Sequence, residues 1–378
     1  MAIFKENAPH LRRKASVTRM MVDVLIALAP TLIFSIIVFP AKTLIFYAIS
    51  VVIMEAAEFV YVGLRNMMPA DGQKHSFKEK FVYAYKGKYN QNNILTAAIS
   101  AIIYTLIMPA SAPIYAVVVG ALVGIVLGKL VFGGLGSNIF NPAAVGMIFA
   151  KVCFGGEYNK NVPTTWYYSV VDVETAPTVL TNVSTPGLNG VIANFNDANL
   201  LDMFLGRMYG TLGEVYAITI IIGAIYLLIR RSADFRVMLP FLGSFAFFSL
   251  IAGLGFLAVD GSTNPLKFML FSLLSGGVLF GGVFMLTDPV TSPINAPSRI
   301  IYALVASVFT ILIRLFAALP EGVGFSILIA NMIACVLDHY EWSSSRYTWK
   351  KFLAMGLLVV IPALTIFLVI KFGGVYSV

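Results

Sequence analysis

Three groups of residues in this chain could do chemistry. The first is a set of ionisable side chains inside apolar stretches: Asp23, Glu55, Glu58, Glu214 and Arg314. Burying a charge in a membrane is costly, so such residues are functional candidates by default. Glu55 and Glu58 lie three residues apart and therefore share a helix face. With Glu214 they are candidates for an ion or proton path. The plainer alternative sets Asp23, Glu214 and Glu321 near interfaces, with Arg314 paired or reaching for the surface. The second group is the run Thr287-Asp288-Pro289-Val290-Thr291-Ser292-Pro293. Its hydroxyls and carboxylate either offer polar edges to a planar cofactor or close a tight turn through an Asx-type bond. The third is Asp172-Val173-Glu174-Thr175-Ala176-Pro177-Thr178-Val179-Leu180, inside a polar stretch of about residues 156–200. Loops beyond about a dozen residues without structure of their own are functional or disordered.

The rest of the chain must position these groups, and its composition says how. Of 378 residues 59% are hydrophobic and 12% charged, about half the charge of a soluble domain. Repeated apolar stretches near twenty residues long match the ~30 Å core of a bilayer. The fold class is all-α: a polytopic membrane helical bundle of about 10–11 transmembrane helices. Spans are expected at about 20–39, 43–63, 94–112, 114–134, 139–155, 212–229, 237–257, 266–286, 300–319, 322–338 and 352–372. The N-terminal stretch, residues 1–19, is basic and polar and does not read as a removable signal peptide.

The net charge of +8 would point to nucleic acid in a soluble protein, but here the basic residues cluster at span ends, so no nucleic-acid partner is expected. With the N-terminus in the cytoplasm, 19 Lys/Arg fall on inside segments and 6 outside, which favours that orientation and sets the 156–200 loop outside. The tyrosine-bearing basic loop Leu64–Asn92 could meet anionic lipid or a partner subunit, or be a solvated face. His10, His75 and His339 fall in loops at no metal-ligand spacing. Cys153 and Cys335 are too few for an iron–sulfur centre of their own; they read as small buried apolar residues, or as thiols that could join a centre shared with another subunit.

Two interruptions stand out. Phe132-Gly133-Gly134-Leu135-Gly136-Ser137-Asn138-Ile139-Phe140-Asn141-Pro142 precedes a short span, and Phe280-Gly281-Gly282 leads into the Thr287–Pro293 run. Irregular backbone at membrane depth is tolerated only where it is buried in protein or lines a cavity. The shared Phe-Gly-Gly, each followed by an Asn-Pro or Asp-Pro, reads either as an internal repeat or as coincidence in a Gly/Pro-rich chain. Neither stretch is an ATP-binding loop.

At these residues the chain resembles the D subunit of Rnf electron-transport complexes, a family that includes the B subunit of sodium-translocating NADH:quinone reductase. The likeness is carried by GKLVFGGLGSNIFNPA (128–143), FMLTDPVTSPI (284–294), LDMFLG (201–206), GTLGE (210–214) and the N-terminal PHLRRK followed by RMMVDVLIAL. It runs to about Asp338, so residues 20–338 form the family's membrane domain, and residues 339–378 add a linker and an extra helix. The resemblance implies an FMN joined by a phosphoester to a threonine in the motif Asp-x-x-(Ser/Thr)-x-Ala-(Thr/Ser). Asp172, Thr175 and Thr178 match it, with Pro177 in place of the alanine and Val179 where the family has proline; Thr185 is the second choice of acceptor. It also implies a non-covalent riboflavin near the cytoplasmic side, lined by Asn138, Asn141, Thr287, Asp288 and Thr291. The implied partners are Rnf subunits A, B, C, E and G, membrane lipid and a flavin transferase, in the cytoplasmic membrane of a bacterium.

A flavin takes up two electrons and releases them singly, and the protein supplies placement and tuning. The resulting expectation is a redox subunit of a ferredoxin:NAD⁺ oxidoreductase that moves Na⁺ or H⁺. The rival is a solute channel or secondary transporter, whose architecture the interrupted spans would equally suit.

Overall fold

A computed structural model describes residues 16–67, 77–86, 88–155, 200–206, 210–317, 322–339 and 344–372. The Thr178 loop and Glu321 lie outside the described residues. Among the described residues the chain is helical, with a single isolated bridge between Pro109 and Thr211. The helices are α1 (Val17–Val38), α2 (Pro40–Asn66), α3 (Phe77–Tyr85), α4 (Gln91–Ile107), α5 (Ile114–Leu130), α6 (Pro142–Cys153) and α7 (Leu200–Leu205). They continue with α8 (Ala217–Arg230), α9 (Phe235–Asp260), α10 (Pro265–Leu274), α11 (Val278–Met285), α12 (Ala296–Phe316), α13 (Val323–Leu337) and α14 (Trp349–Phe372). Each expected span has its helix. Five (α1, α2, α9, α12, α14) are long and apolar enough to cross a membrane alone, and α10–α11 make a sixth that bends by 63°. The other five are apolar but shorter.

Sequence sets the helix ends. Ser16 accepts a hydrogen bond from the Arg19 amide to cap α1, and Asp234 and Asn264 cap α9 and α10 in the same way. Prolines stand at the first turn of α2, α6, α10 and α12, where a missing donor costs nothing.

The packing divides the bundle into two units of five spans. In the first, α2 packs on α4 and α5, α5 on α6, and α1 on α4. In the second, α9 packs on α10 and α12, α12 on α13, and α8 on α11. The units meet where α1 lies on α8 and α6 on α13. This is the logic of an internal repeat. The Phe-Gly-Gly stretches are not what repeats, however: they follow the fourth span of the first unit and fall within the third of the second. What they share is local, since each adjoins a helix that finishes in a π-helical turn, Val126–Leu130 and Gly281–Met285.

Side-chain placement corrects several expectations. Lys129, counted with the inside segments, is buried in the π turn of α5, and Lys151 and Lys351 are buried too. The correction trims the count on both sides without reversing it. Cys153 and Cys335 are exposed on the bundle surface rather than buried. The Leu64–Asn92 loop contains α3, which is held to α2 by Tyr85 stacking on Phe59.

Within the first unit, α5 and α6 approach at the small-residue ladder Gly120, Gly124 and Gly128. A Cβ on Gly124 would stand 2.6 Å from the Pro142 carbonyl oxygen, and one on Gly128 2.7 Å from the Pro142 Cα. Small residues are what let membrane helices pack this closely. The same unit is pinned by a buried ion pair: Lys129 Nζ lies 2.5 Å from Glu58 Oε2 and 2.9 Å from Thr96 Oγ1, while Asn93 donates to Glu58 Oε1 at 3.1 Å. Removing one partner of a buried pair strands the other charge. Glu58→Gln or Lys129→Met alone should therefore destabilise the bundle by about 3–5 kcal/mol. The double variant should recover most of that loss in a thermal-unfolding cycle of the detergent-solubilised protein.

Candidate functional site

Asn141 is the residue from which the site is built. Its side-chain oxygen accepts from the Ala143 and Ala144 amides at 3.0 and 3.3 Å and so caps α6. Its side-chain nitrogen donates to the Met285 carbonyl, 3.3 Å away, at the end of the other π turn. Its backbone N–H points at Asn331 on α13. The Asn331 amide orientation that satisfies every neighbour accepts this N–H at 3.1 Å and donates to the Tyr302 hydroxyl at 2.7 Å and the Ile327 carbonyl at 3.3 Å. One residue thus ties the interruption after α5 to the interruption after α11 and fixes both against α12 and α13.

The two connections fold over each other as a result. Gly133, Gly134 and Gly136 take positive φ values of 119°, 87° and 81°, a region open to glycine at little cost. Arg65 donates to the Gly133 carbonyl at 2.5 Å. On the other side Asp288 accepts from the Val290 amide at 3.1 Å, the expected Asx turn, and Thr287 donates to the Val283 carbonyl at 2.5 Å. Arg299 holds the end of this loop through the Pro293 carbonyl, 2.7 Å away, and an ion pair with Asp234. Asp338 accepts from the Ile294 amide at 3.0 Å.

Between the connections lies a cleft of about 820 Å³, counting its open mouth. Met20, Val24, Ile99, Ile103, Val283 and Phe284 give it apolar walls, and Asn138, Asn141, Thr287, Asp288, Ser232 and Lys129 supply polar edges. Four of the five sequence-derived riboflavin candidates, Asn138, Asn141, Thr287 and Asp288, line it. Thr291 is buried behind the wall, beside Asp288 and Tyr302. Burial pushes the Asp288 carboxyl above the ordinary carboxylate range, against the opposing pulls of the Val290 amide and the Lys129 charge. Tyr302 and Asn331 were not singled out in the sequence. Their signal was a hydroxyl and an amide within long apolar helices, weaker than that of a charged group.

The ionisable candidates fall in three places. Glu58 is committed to Lys129, which also lines the cleft. Glu55 sits one turn away and accepts from the Tyr89 hydroxyl at 3.0 Å. Glu214 lies across the bundle at a smaller cavity with Gly277, Met147 and Met285. There the chain is anchored by hydrogen bonds from the Gly213 and Leu212 amides to the Leu106 and Met108 carbonyls. Asp23 is buried against Arg230 at 3.1 Å, Ser232 at 2.6 Å and Tyr226 at 3.2 Å, joining α1 of one unit to α8 of the other. Arg314 is buried at the break between α10 and α11. It donates to the carbonyls of Ser272, Ser275 and Gly276 at 2.7, 3.2 and 3.0 Å, and its guanidinium lies over the Phe245 ring. Among the described residues no cluster of His, Cys, Asp or Glu could hold a metal ion.

A two-unit membrane bundle whose interrupted spans enclose an apolar cleft with polar edges defines the class. Residues 4–345 match the NQR2, RnfD, RnfE family, and the chain belongs to it. It is 37% identical over 245 residues to the B subunit of the Na(+)-translocating NADH-quinone reductase of Chromohalobacter salexigens, covering 64% of this chain and 57% of that protein. It is 30% identical over 336 residues to the D subunit of the Na(+)-translocating ferredoxin:NAD(+) oxidoreductase complex of Acetobacterium woodii, covering 88% and 92%. It is 28% identical over 340 residues to the proton-translocating counterpart of Clostridium ljungdahlii, covering 88% and 93%. The family match ends before α14.

Losing the Asn141 side chain removes a helix cap and leaves the Met285 carbonyl without its donor. Asn141→Ala should cost at least the ~1 kcal/mol of a lost cap, and Asn331→Ala a similar amount. Because Asn331 bonds the Asn141 backbone N–H, which alanine keeps, the two single losses should nearly add in a double-mutant cycle read by thermal unfolding.

Proposed function

We propose that this chain is the D-type membrane subunit of an Rnf-type ferredoxin:NAD⁺ oxidoreductase, relaying electrons through flavins in a complex that moves Na⁺ or H⁺. The observation that carries the reading is the cleft, an apolar slot edged by amides, hydroxyls and a carboxyl where two interrupted spans meet. The D-type relatives support it, since they match 88% of this chain. On this reading the chain lies in a bacterial cytoplasmic membrane with its N-terminus inside. Its partners are the A, B, C, E and G subunits, and the 156–200 loop on the outer side carries an FMN on Thr178, attached by a flavin transferase that recognises Asp172 and Thr175.

The residues of the cleft fit a riboflavin. Val283, Phe284, Ile99 and Ile103 offer flat apolar contact to a tricyclic ring, and Asn138, Asn141 and Thr287 stand at its rim with groups able to pair with ring heteroatoms. When bound, the flavin supplies two-electron uptake and one-electron release. Asp288, with its carboxyl raised by burial, keeps a proton to higher pH than an ordinary carboxylate and so donates a hydrogen bond into the cleft. Lys129, held by Glu58 and Thr96, keeps a fixed positive charge in the wall. The apolar side chains exclude water, which strengthens each of these interactions. Glu214 and Glu55 are the groups we assign to the ion path; Glu58 serves it only through its pairing with Lys129.

Two measurements test this reading. On a denaturing gel the wild-type chain, made in cells that carry the flavin transferase, should fluoresce under ultraviolet light and Thr178→Ala should not. A dark wild-type band contradicts the covalent FMN, and a bright Thr178→Ala band moves the acceptor to Thr185. Riboflavin affinity of the cleft, read by fluorescence quenching, should weaken as pH rises through the raised Asp288 range, because the carboxyl then loses its donated proton. Asp288→Asn should hold affinity level across that range, and Asp288→Leu should lower it about ten- to hundredfold at every pH.

A further inference from the structure

A second recess lies on the outside of the bundle, away from the cleft. Ile53, Ala56, Ala57, Val60, Tyr61 and Leu64 of α2 face Val118, Leu122, Val126, Leu130 and Val131 across an apolar groove of about 1150 Å³, counting its open side. Its rim is exposed: Val60 at 54%, Leu64 at 71%, Leu122 at 47% and Val131 at 65%. From Ile53 to Leu64 the groove runs about 16 Å at 1.5 Å per residue. That is close to one leaflet of a ~30 Å core. A transmembrane helix of a partner would need a seat twice as long.

The chemistry at the groove's end is cationic. Arg65, exposed, spans the top of the groove from α2 to the Gly133 carbonyl and the Tyr61 hydroxyl. One face further round α2 packs α3, fastened by the Tyr85 hydroxyl donating to the Phe59 carbonyl at 3.1 Å and by the close seat of Tyr85 on Gly63. This helix carries Lys78, Glu79 and Lys80 and is followed by Lys86 and Lys88, a net of three positive charges, while Phe81, Val82 and Tyr83 are exposed at 43%, 55% and 45%. Exposed aromatic and apolar side chains among lysines are the composition of a helix lying in a membrane interface. Basic residues there attract anionic headgroups at about 1 kcal/mol each.

We propose that this groove is a binding site for one anionic phospholipid, with an acyl chain between α2 and α5 and its phosphate beside Arg65, on a surface made cationic by the α3 lysines. The proposal is independent of the flavin reading. The test uses the full-length chain equilibrated with mixed micelles of phosphatidylglycerol and phosphatidylethanolamine in equal parts, repurified and analysed for bound lipid by mass spectrometry. Wild type should retain about one more phosphatidylglycerol per chain than Ala56→Trp or Leu122→Trp, each of which fills the groove from a wall position. Arg65→Gln should still bind lipid, with its preference for phosphatidylglycerol lost. Wild type should also unfold at a higher temperature in phosphatidylglycerol than in phosphatidylethanolamine, and Arg65→Gln at the same temperature in both, a readout that needs no groove-filling variant. Equal lipid content and headgroup ratio in all four proteins would overturn the proposal. So would quantitative crosslinking of Ala56→Cys to a neighbouring subunit's helix in the intact complex.

Discussion

An interrupted helix inside a bilayer exposes backbone groups that lipid cannot satisfy, and this structure meets that constraint chiefly through one amide. Asn141 caps α6 with its oxygen, closes the Met285 carbonyl with its nitrogen and hands its backbone N–H to Asn331. Each unmade bond would cost about 1–3 kcal/mol in a buried setting, so the three together decide whether the two connections can meet. Arg314 does the matching work at the other break, where three carbonyls freed between α10 and α11 converge on its guanidinium. Irregular backbone is held at membrane depth here because side chains replace the hydrogen bonds that helix geometry gave up.

The two-unit plan explains why the cleft lies where it does. Each unit buries its own apolar contacts, the first through the glycine ladder of α5 on α6 and the Lys129–Glu58 pair, the second through α9, α12 and α13. The seam between units carries polar chemistry: Asp23 with Arg230 and Ser232, Asn141 with Met285 and Asn331. A seam of that kind leaves space and supplies donors and acceptors, the two requirements of a site for a planar polar-edged ligand. The smaller cavity at Glu214 lies on the same seam, with Met285 in its lining while Val283 and Phe284 face the cleft. On the proposed function a flavin would stand on one side of this short helical turn and an acid on the other, an arrangement in which electron and ion movement can be coupled.

Much of this was legible in the sequence, for identifiable reasons. Apolar stretches near twenty residues long located a helix at each of the eleven expected spans, six of them long enough to cross a membrane when the bent pair is taken as one, because a bilayer core demands such stretches. Gly133 to Asn141 and Thr287 to Thr291 stood out as site segments because polar and glycine-rich residues at membrane depth are costly unless they line a site. What the sequence did not show was partnership. Glu58 read as a candidate for an ion path, and only the fold reveals Lys129 71 residues away as its counter-ion. Arg314 read as paired or reaching for the surface, and the fold buries it against three carbonyls. Asn331 and Tyr302 were silent because an amide and a phenol in an apolar helix carry no spacing pattern. The Phe-Gly-Gly likeness, open to reading as a repeat or as coincidence, matches letters across segments that hold different places in the two units.

The central claim is that the seam cleft holds a flavin without a covalent bond, and the Thr178→Ala chain isolates it. With the tethered flavin removed, any flavin released from that purified chain by acid or denaturant must have been bound non-covalently. About one riboflavin per chain is predicted in the released fraction. No released flavin, from protein purified with riboflavin present throughout, would contradict the claim.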